Sequence, residues 1–162
     1  MKTIIQQRIS ALRESMKHFG LGAYIIPSSD PHLSEYPADC WKSRQWISGF
    51  TGSAGTVVVT ADKAGLWTDS RYFLQASKEL EGSGIELYKT GLPETPGIAA
   101  FLLRNLNENE TVGLDGQTYS VADAVELNSV LKKKKISLDV SRDLIHSIWK
   151  DRPALPGGML FE

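Results

Sequence analysis

The sequence predicts a single α/β domain, with about six strands in a mixed sheet and helices on both faces. Three observations carry that expectation. Short apolar or β-branched runs alternate along the chain with longer segments of helical periodicity. Two of the runs, Thr56–Thr60 and Leu66–Thr68, are joined by the polar turn Ala61–Gly65, which reads as a β-hairpin and supplies at least one antiparallel pair. The 162 residues are 41% hydrophobic and 23% charged, ordinary for one soluble domain. A chain of this length buries roughly 70% of its unfolded surface.

The first helix is expected over Thr3–Phe19. Thr3 and Gln6 suggest a capping box, and Ile5, Ile9, Leu12, Met16 and Phe19 make one apolar stripe. Gly20 suits the position just past its end. Ala23–Pro27 (AYIIP) is a buried strand closed by the turn cluster Ser28-Ser29-Asp30-Pro31. His32, Glu35 and Asp39 follow in a polar stretch whose spacing matches no metal-ligand pattern. Cys40–Ser48 reads as a short helix carrying Trp41 and Trp46.

The stretch from Arg44 to Gln75 organises the chain. Gly49, Gly52 and Gly55 make a turn that leads into a strand rather than a helix, and no Walker lysine follows, so a phosphate cradle is disfavoured. After the hairpin, Asp69 and Ser70 stand at the N-cap of a helix over about Ser70–Leu80. Asp69 suits the helix dipole; Arg71 in the first turn opposes it, which singles out this junction. Arg71 has a plain alternative, as a surface cation or one paired with Asp69 or Glu35.

Ile85–Lys89 alternates as a strand. Thr95-Pro96 looks like an N-cap and first turn, before a helix burying Ala99, Leu102, Leu103 and Leu106. Thr111–Leu114 is a strand, and Ser120 with Asp123 opens a helix with Val121, Ala124, Leu127 and Leu131 inward. Ile136–Val140 is the last strand, and Ser141 caps a final helix bearing Leu144, Ile145, Ile148 and Trp149. Pro153, Pro156, Gly157 and Gly158 have linker composition, so the domain is drawn at 1–152 and a linker at 153–162.

The net charge of −1 gives no electrostatic case for nucleic acid or an anionic membrane. The run Lys132–Lys135 reads as a solvated helix end. The single Cys40 excludes an internal disulfide and fits a reducing compartment; no motif joins it to His18, His32 or His146 as a catalytic thiol. No apolar stretch approaches the ~20 residues of a membrane span, and the N-terminus is too polar for a signal peptide. No HExxH, Walker, GxSxG or paired CxxC motif occurs, so no catalytic residue and no metal ligand is assigned to the chain.

Tyr24-Ile25-Ile26-Pro27-Ser28, Asp30 and His32 with Ser34-Glu35-Tyr36, Ser48-Gly49-Phe50 with Gly52-Ser53-Ala54-Gly55-Thr56, Trp67-Thr68-Asp69, Arg71-Tyr72-Phe73, Gln75-Ala76, Ile148-Trp149 and Asp151-Arg152-Pro153 occur in that order. Together they resemble the N-terminal domain of the creatinase/prolidase-type metallopeptidases, in particular the three-domain Xaa-Pro aminopeptidases. The resemblance implies a ribonuclease H-like α/β fold. It also implies a cytoplasmic, homodimeric parent enzyme that removes the first residue of peptides with proline second. In that family two metal ions, usually manganese, sit in a third domain that has no counterpart in these residues. The chain is therefore expected to be a fragment without cofactor or activity of its own, shaping the active-site mouth and the dimer. Arg71 is the candidate substrate-binding residue, supported by Asp69, Tyr72 and His32; Ser70 stands where relatives often carry glycine. The alternatives are a stand-alone α/β binding module and, with less behind it, a small hydrolase using Asp69, His32 or Glu35.

Overall fold

A computed structural model of the protein describes residues 2–157. Its helices are α1 (Lys2–His18), α2 (Ser43–Ser48), α3 (Phe73–Glu79), α4 (Ile98–Asn105), α5 (Val121–Lys132) and α6 (Leu144–Ile148). Its strands are β1 (Ala23–Pro27), β2 (Thr56–Thr60), β3 (Ala64–Thr68), β4 (Glu86–Lys89), β5 (Thr111–Leu114) and β6 (Ser137–Asp139). They form one six-stranded sheet in the order β4-β3-β2-β1-β5-β6. The pairs β1–β2 and β2–β3 are antiparallel, while β3–β4, β1–β5 and β5–β6 are parallel. The expected mixed sheet is therefore present, with the hairpin at β2–β3.

Strand side chains alternate between two cores, as the pleat requires. Tyr24, Ile26, Val57, Val59 and Leu66 join the apolar stripe of α1 with Ile47, Ala76, Leu144 and Ile145 on one face. Ala23, Ile25, Val58, Trp67, Val112 and Leu114 pack against Phe101, Leu102, Leu127 and Leu131 of α4 and α5 on the other. Covering on both faces explains why AYIIP and TVVVT are continuous apolar runs instead of alternating ones. A buried tyrosine hydroxyl ties α6 to the sheet: Tyr24 Oη donates to the carbonyl of Arg142 (2.6 Å) and accepts from the amide of Leu144 (3.0 Å).

The expected elements are all present, and most differences lie at their ends; Val121, expected to face inward, is exposed in the first turn of α5, where Leu127 and Leu131 carry the burial. Thr3 falls inside α1, which starts at Lys2, so the capping box does not form; Gln6 donates instead to the carbonyl of Gly82. Phe19 lies past the helix and is 40% exposed, edge-on to His18 and beneath the Arg142 guanidinium. Thr95 belongs to a turn closed on Leu92, and the N-cap of α4 is Gly97. Ser141 is drawn to the Asp139 carboxylate, so Asp143 caps α6 through the amide of His146. At Ser141 a neighbouring carboxylate takes the hydroxyl that a cap needs, and at Thr95 the turn onto Leu92 takes the backbone position. β3 begins two residues early, at Ala64, because Thr60 closes a tight turn onto Lys63 through backbone and hydroxyl. The segment before the glycine turn is split into a 3₁₀ turn (Asp39–Trp41) and α2. Of the expected linker, residues 153–157 carry neither helix nor strand, and 158–162 lie outside the described residues.

Candidate functional site

The junction after β3 is built by Asp69. Its backbone is extended, and its carboxylate accepts the amide of Arg71, which nucleates a 3₁₀ turn (Ser70–Tyr72) running into α3. The Arg71 guanidinium then folds back on the same carboxylate, with Nε to Oδ1 and Nη2 to Oδ2 both at 2.9 Å. This two-pronged pair answers why a cation stands in the first turn: its charge is spent on the cap, not on the helix dipole. Hydrogen bonds from Arg71 hold the Asp69 carboxyl below its ordinary range, and Asp69 in turn raises Arg71 above its own. The guanidinium remains two-thirds exposed, its carbon 5.2 Å from the centre of the Tyr72 ring.

Tyr72 connects this junction to the glycine turn. Its hydroxyl is hydrogen-bonded to Ser53 (2.7 Å), and its ring stands edge-on to Phe50 at 5.9 Å. Gly52 passes between them: a Cβ there would lie 2.3 Å from Phe50 Cζ and 2.7 Å from Tyr72 Cδ1, so only glycine fits. Gly49 closes α2 with a left-handed φ of 74°. The glycines therefore serve backbone shape and close packing, as their position before a strand implies.

An open cleft of about 320 Å³ lies over this surface, lined by Ser28, Ser34, Glu35, Ser53, Thr56 and Arg71 among others. A neighbouring cleft of about 200 Å³ shares Ser28, Glu35 and Ser53 and adds Tyr36, Trp41 and Lys42. The shared residues make these two parts of one groove, lined by the cations Arg71, Lys42 and Arg44 and by the carboxylate of Glu35. Such a surface can bind and orient a peptide through its carbonyls or carboxylate.

Of the residues singled out in the sequence, Asp69, Arg71 and Tyr72 are brought together. His32 is not among the residues lining the groove; its backbone amide, with that of Ser34, donates to Asp30 Oδ1, which lowers the Asp30 carboxyl. Among the described residues no three His, Cys, Asp or Glu side chains converge as a metal-binding set, so the donor set does not fit a dinuclear centre. Arg44, which no motif had marked, is buried in the wall of the groove.

The ion pair sets a pH expectation. Because the folded-state pKa of Asp69 is depressed, the stabilisation by this pair is fully present above the ordinary carboxylate pKa of about 3.9 and fades as pH falls through the lower folded value. A carbon-detected NMR titration should show Asp69 titrating below the ordinary carboxylate value of about 3.9, and moving up towards it in Arg71→Ala, where only the amide at position 71 still donates to the carboxylate. Unchanged titration in the variant would contradict the pairing.

A family model for the creatinase/prolidase N-terminal domain matches residues 8–145. Aminopeptidase P2 of Arabidopsis thaliana is 45% identical over 160 residues, covering 96% of this chain and 22% of its own length. A probable Xaa-Pro aminopeptidase P of Laccaria bicolor is 42% identical over 157 residues, covering 96% of this chain and 24% of its own length. Among solved structures, the X-prolyl aminopeptidase of Caenorhabditis elegans, a cytosolic enzyme with a di-nuclear active site, superposes with a TM-score of 0.87 at 32% identity. That match covers 94% of this chain and 26% of the other. An Xaa-Pro aminopeptidase chain from Streptococcus pyogenes shares the fold at a TM-score of 0.67 and 24% identity, over 91% of this chain and 99% of that one. The chain thus spans about a quarter of the length of the first two relatives. From the ordered motifs, the two-faced mixed sheet and these matches, the chain belongs to the creatinase/prolidase N-terminal domain family.

Proposed function

We propose that this chain is the non-catalytic N-terminal domain of a longer, metal-dependent Xaa-Pro aminopeptidase, which removes the first residue from peptides with proline second. The observation that carries the reading is the match to Aminopeptidase P2 and its kin: 40–45% identity across nearly the whole chain. In this reading two manganese ions and the water they activate belong to a catalytic domain elsewhere in the polypeptide. The residues described here do not fit such a centre, and no step of bond cleavage is assigned to them.

Their part is to receive and orient the peptide. Arg71 presents a planar fork at the edge of the groove, able to meet a peptide carbonyl or carboxylate without breaking any bond. Asp69 holds that fork in place until a substrate oxygen competes for it, and Tyr72 lies beneath it. Within the longer protein the domain shapes the active-site mouth and takes part in a homodimer. A cytoplasmic setting is supported by the cytosolic C. elegans neighbour; among the described residues no helix is long and apolar enough to cross a membrane.

The test is an assay of the full-length protein and of this chain alone on an Xaa-Pro peptide with manganese. Turnover by the full-length protein and none by the chain is expected. Hydrolysis by the chain alone, or none by the full-length protein, would overturn the reading.

A further inference from the structure

Arg44 sits in the first turn of α2 with only 5% of its surface exposed, yet none of its hydrogen-bond partners is a carboxylate. Nε donates to Ser28 Oγ (2.7 Å), Nη1 to the carbonyl of Phe50 and Nη2 to the carbonyl of Gly52. The guanidinium carbon is 4.9 Å from the centre of the Phe50 ring. Ser28 Oγ passes the tie onward to the carbonyl of Gly55 (2.8 Å), and Thr68 Oγ1 takes that of Ala54 (2.6 Å). Residues 50–55 therefore form an irregular segment in which the carbonyls of Phe50, Gly52, Ala54 and Gly55 are claimed by side chains, with Arg44 at the hub. Burying a guanidinium is costly unless its donors are matched in direction, and here the planar fork spans three acceptors on two segments.

The segment that Arg44 clamps is the one that supports Arg71. Gly52 packs between Phe50 and Tyr72, Ser53 is hydrogen-bonded to Tyr72 Oη, and the Arg71 guanidinium lies over the Tyr72 ring. The contacts run without a gap from Arg44 through the Phe50 and Gly52 carbonyls, Ser53 and Tyr72 to Arg71. Glu79 braces the same segment from the outer side, accepting from the Thr51 amide (2.8 Å) and hydroxyl (2.7 Å).

We infer that Arg44 is a positioning residue for the Arg71 site: it fixes the glycine segment that serves as the platform for the peptide-facing guanidinium. The inference rests on the proposed peptide-binding role of Arg71. Lysine at position 44 keeps the charge but presents a point ammonium, which cannot meet Ser28, Phe50 and Gly52 at once.

The test uses the Nε–H resonance of Arg71 in this chain, recorded at mildly acidic pH. In Arg44→Lys that signal should shift and its hydrogen exchange should rise about tenfold, as should exchange at the Thr51 amide, while Val57–Val59 stay protected. Val112→Ala, in the core of the opposite face, serves as a control for general destabilisation. A wild-type Arg71 signal in Arg44→Lys, or the same displacement in Val112→Ala, would overturn the inference. In the full-length protein, Arg44→Lys should lower kcat/KM on an Xaa-Pro peptide but add little in an Arg71→Ala background; full additivity would overturn it. Absence of any Xaa-Pro turnover in the unsubstituted full-length protein refutes the functional reading instead, and the resonance measurement still judges the platform.

Discussion

Trp67→Ala should lose about 3–5 kcal/mol of folding stability. Trp67 is buried in β3, stacked on Tyr88 with ring centres 4.1 Å apart and planes 4° apart. Phe101 of α4 meets it edge-on at 5.0 Å, and Nε1 donates to the carbonyl of Pro96 (2.8 Å). The ring therefore closes the α4 core over the β3–β4 pair and holds the turn that leads into α4. Truncation removes the stacked area, leaves a cavity between sheet and helix, and strands the Pro96 carbonyl. Against a domain stability of about 5–15 kcal/mol, that is roughly a fifth or more of the total. Urea unfolding with an unchanged slope and a much lower midpoint is the expected record. A loss below about 1 kcal/mol would show that the cluster is not the anchor of α4.

Arg71→Ala, made in the full-length protein, should lower kcat/KM on an Xaa-Pro peptide about 10- to 100-fold. The figure follows from the roughly 1.5–3 kcal/mol of a hydrogen bond to a charged group, at about 1.4 kcal/mol per tenfold in rate. The fold should be unaffected, because the Asp69–Arg71 pair is solvent-exposed and such pairs add little to stability. Arg71→Lys should recover only part of the rate, since an ammonium cannot offer two parallel donors. Steady-state kinetics beside a thermal melt separates the two effects. An unchanged rate with an unchanged melt would make Arg71 a surface ion pair with no part in binding.

Much of this was legible in the residues because the signals are local. The stripe Ile5, Ile9, Leu12 and Met16 repeats at helical spacing, and all four side chains are buried. The hairpin turn and the runs on either side lie within residues 56–68, and β2 and β3 pair as those runs imply. Asp69 and Arg71 are two apart, so their pairing was open to view as one of the alternatives for Arg71. Caps were less legible. Ser141 and Thr95 are sound capping residues, but the first is drawn to the Asp139 carboxylate and the second is taken into a turn closed on Leu92.

Arg44 was illegible for a different reason. Its three acceptors lie at Ser28, Phe50 and Gly52, and two of them are backbone carbonyls that carry no mark in a sequence. The same holds for Ser53, whose hydroxyl matters only because Tyr72 arrives opposite it from another element.

Residue order alone determined the fold class, the two-sided burial of the central strands and the family, because periodicity and ordered motifs are written in the side chains themselves. The tertiary structure alone decided which polar groups share the groove, that His32 lies outside its lining, and that a buried arginine shapes its wall. Those outcomes depend on backbone carbonyls and on the approach of distant segments, which are set when the chain packs and not before.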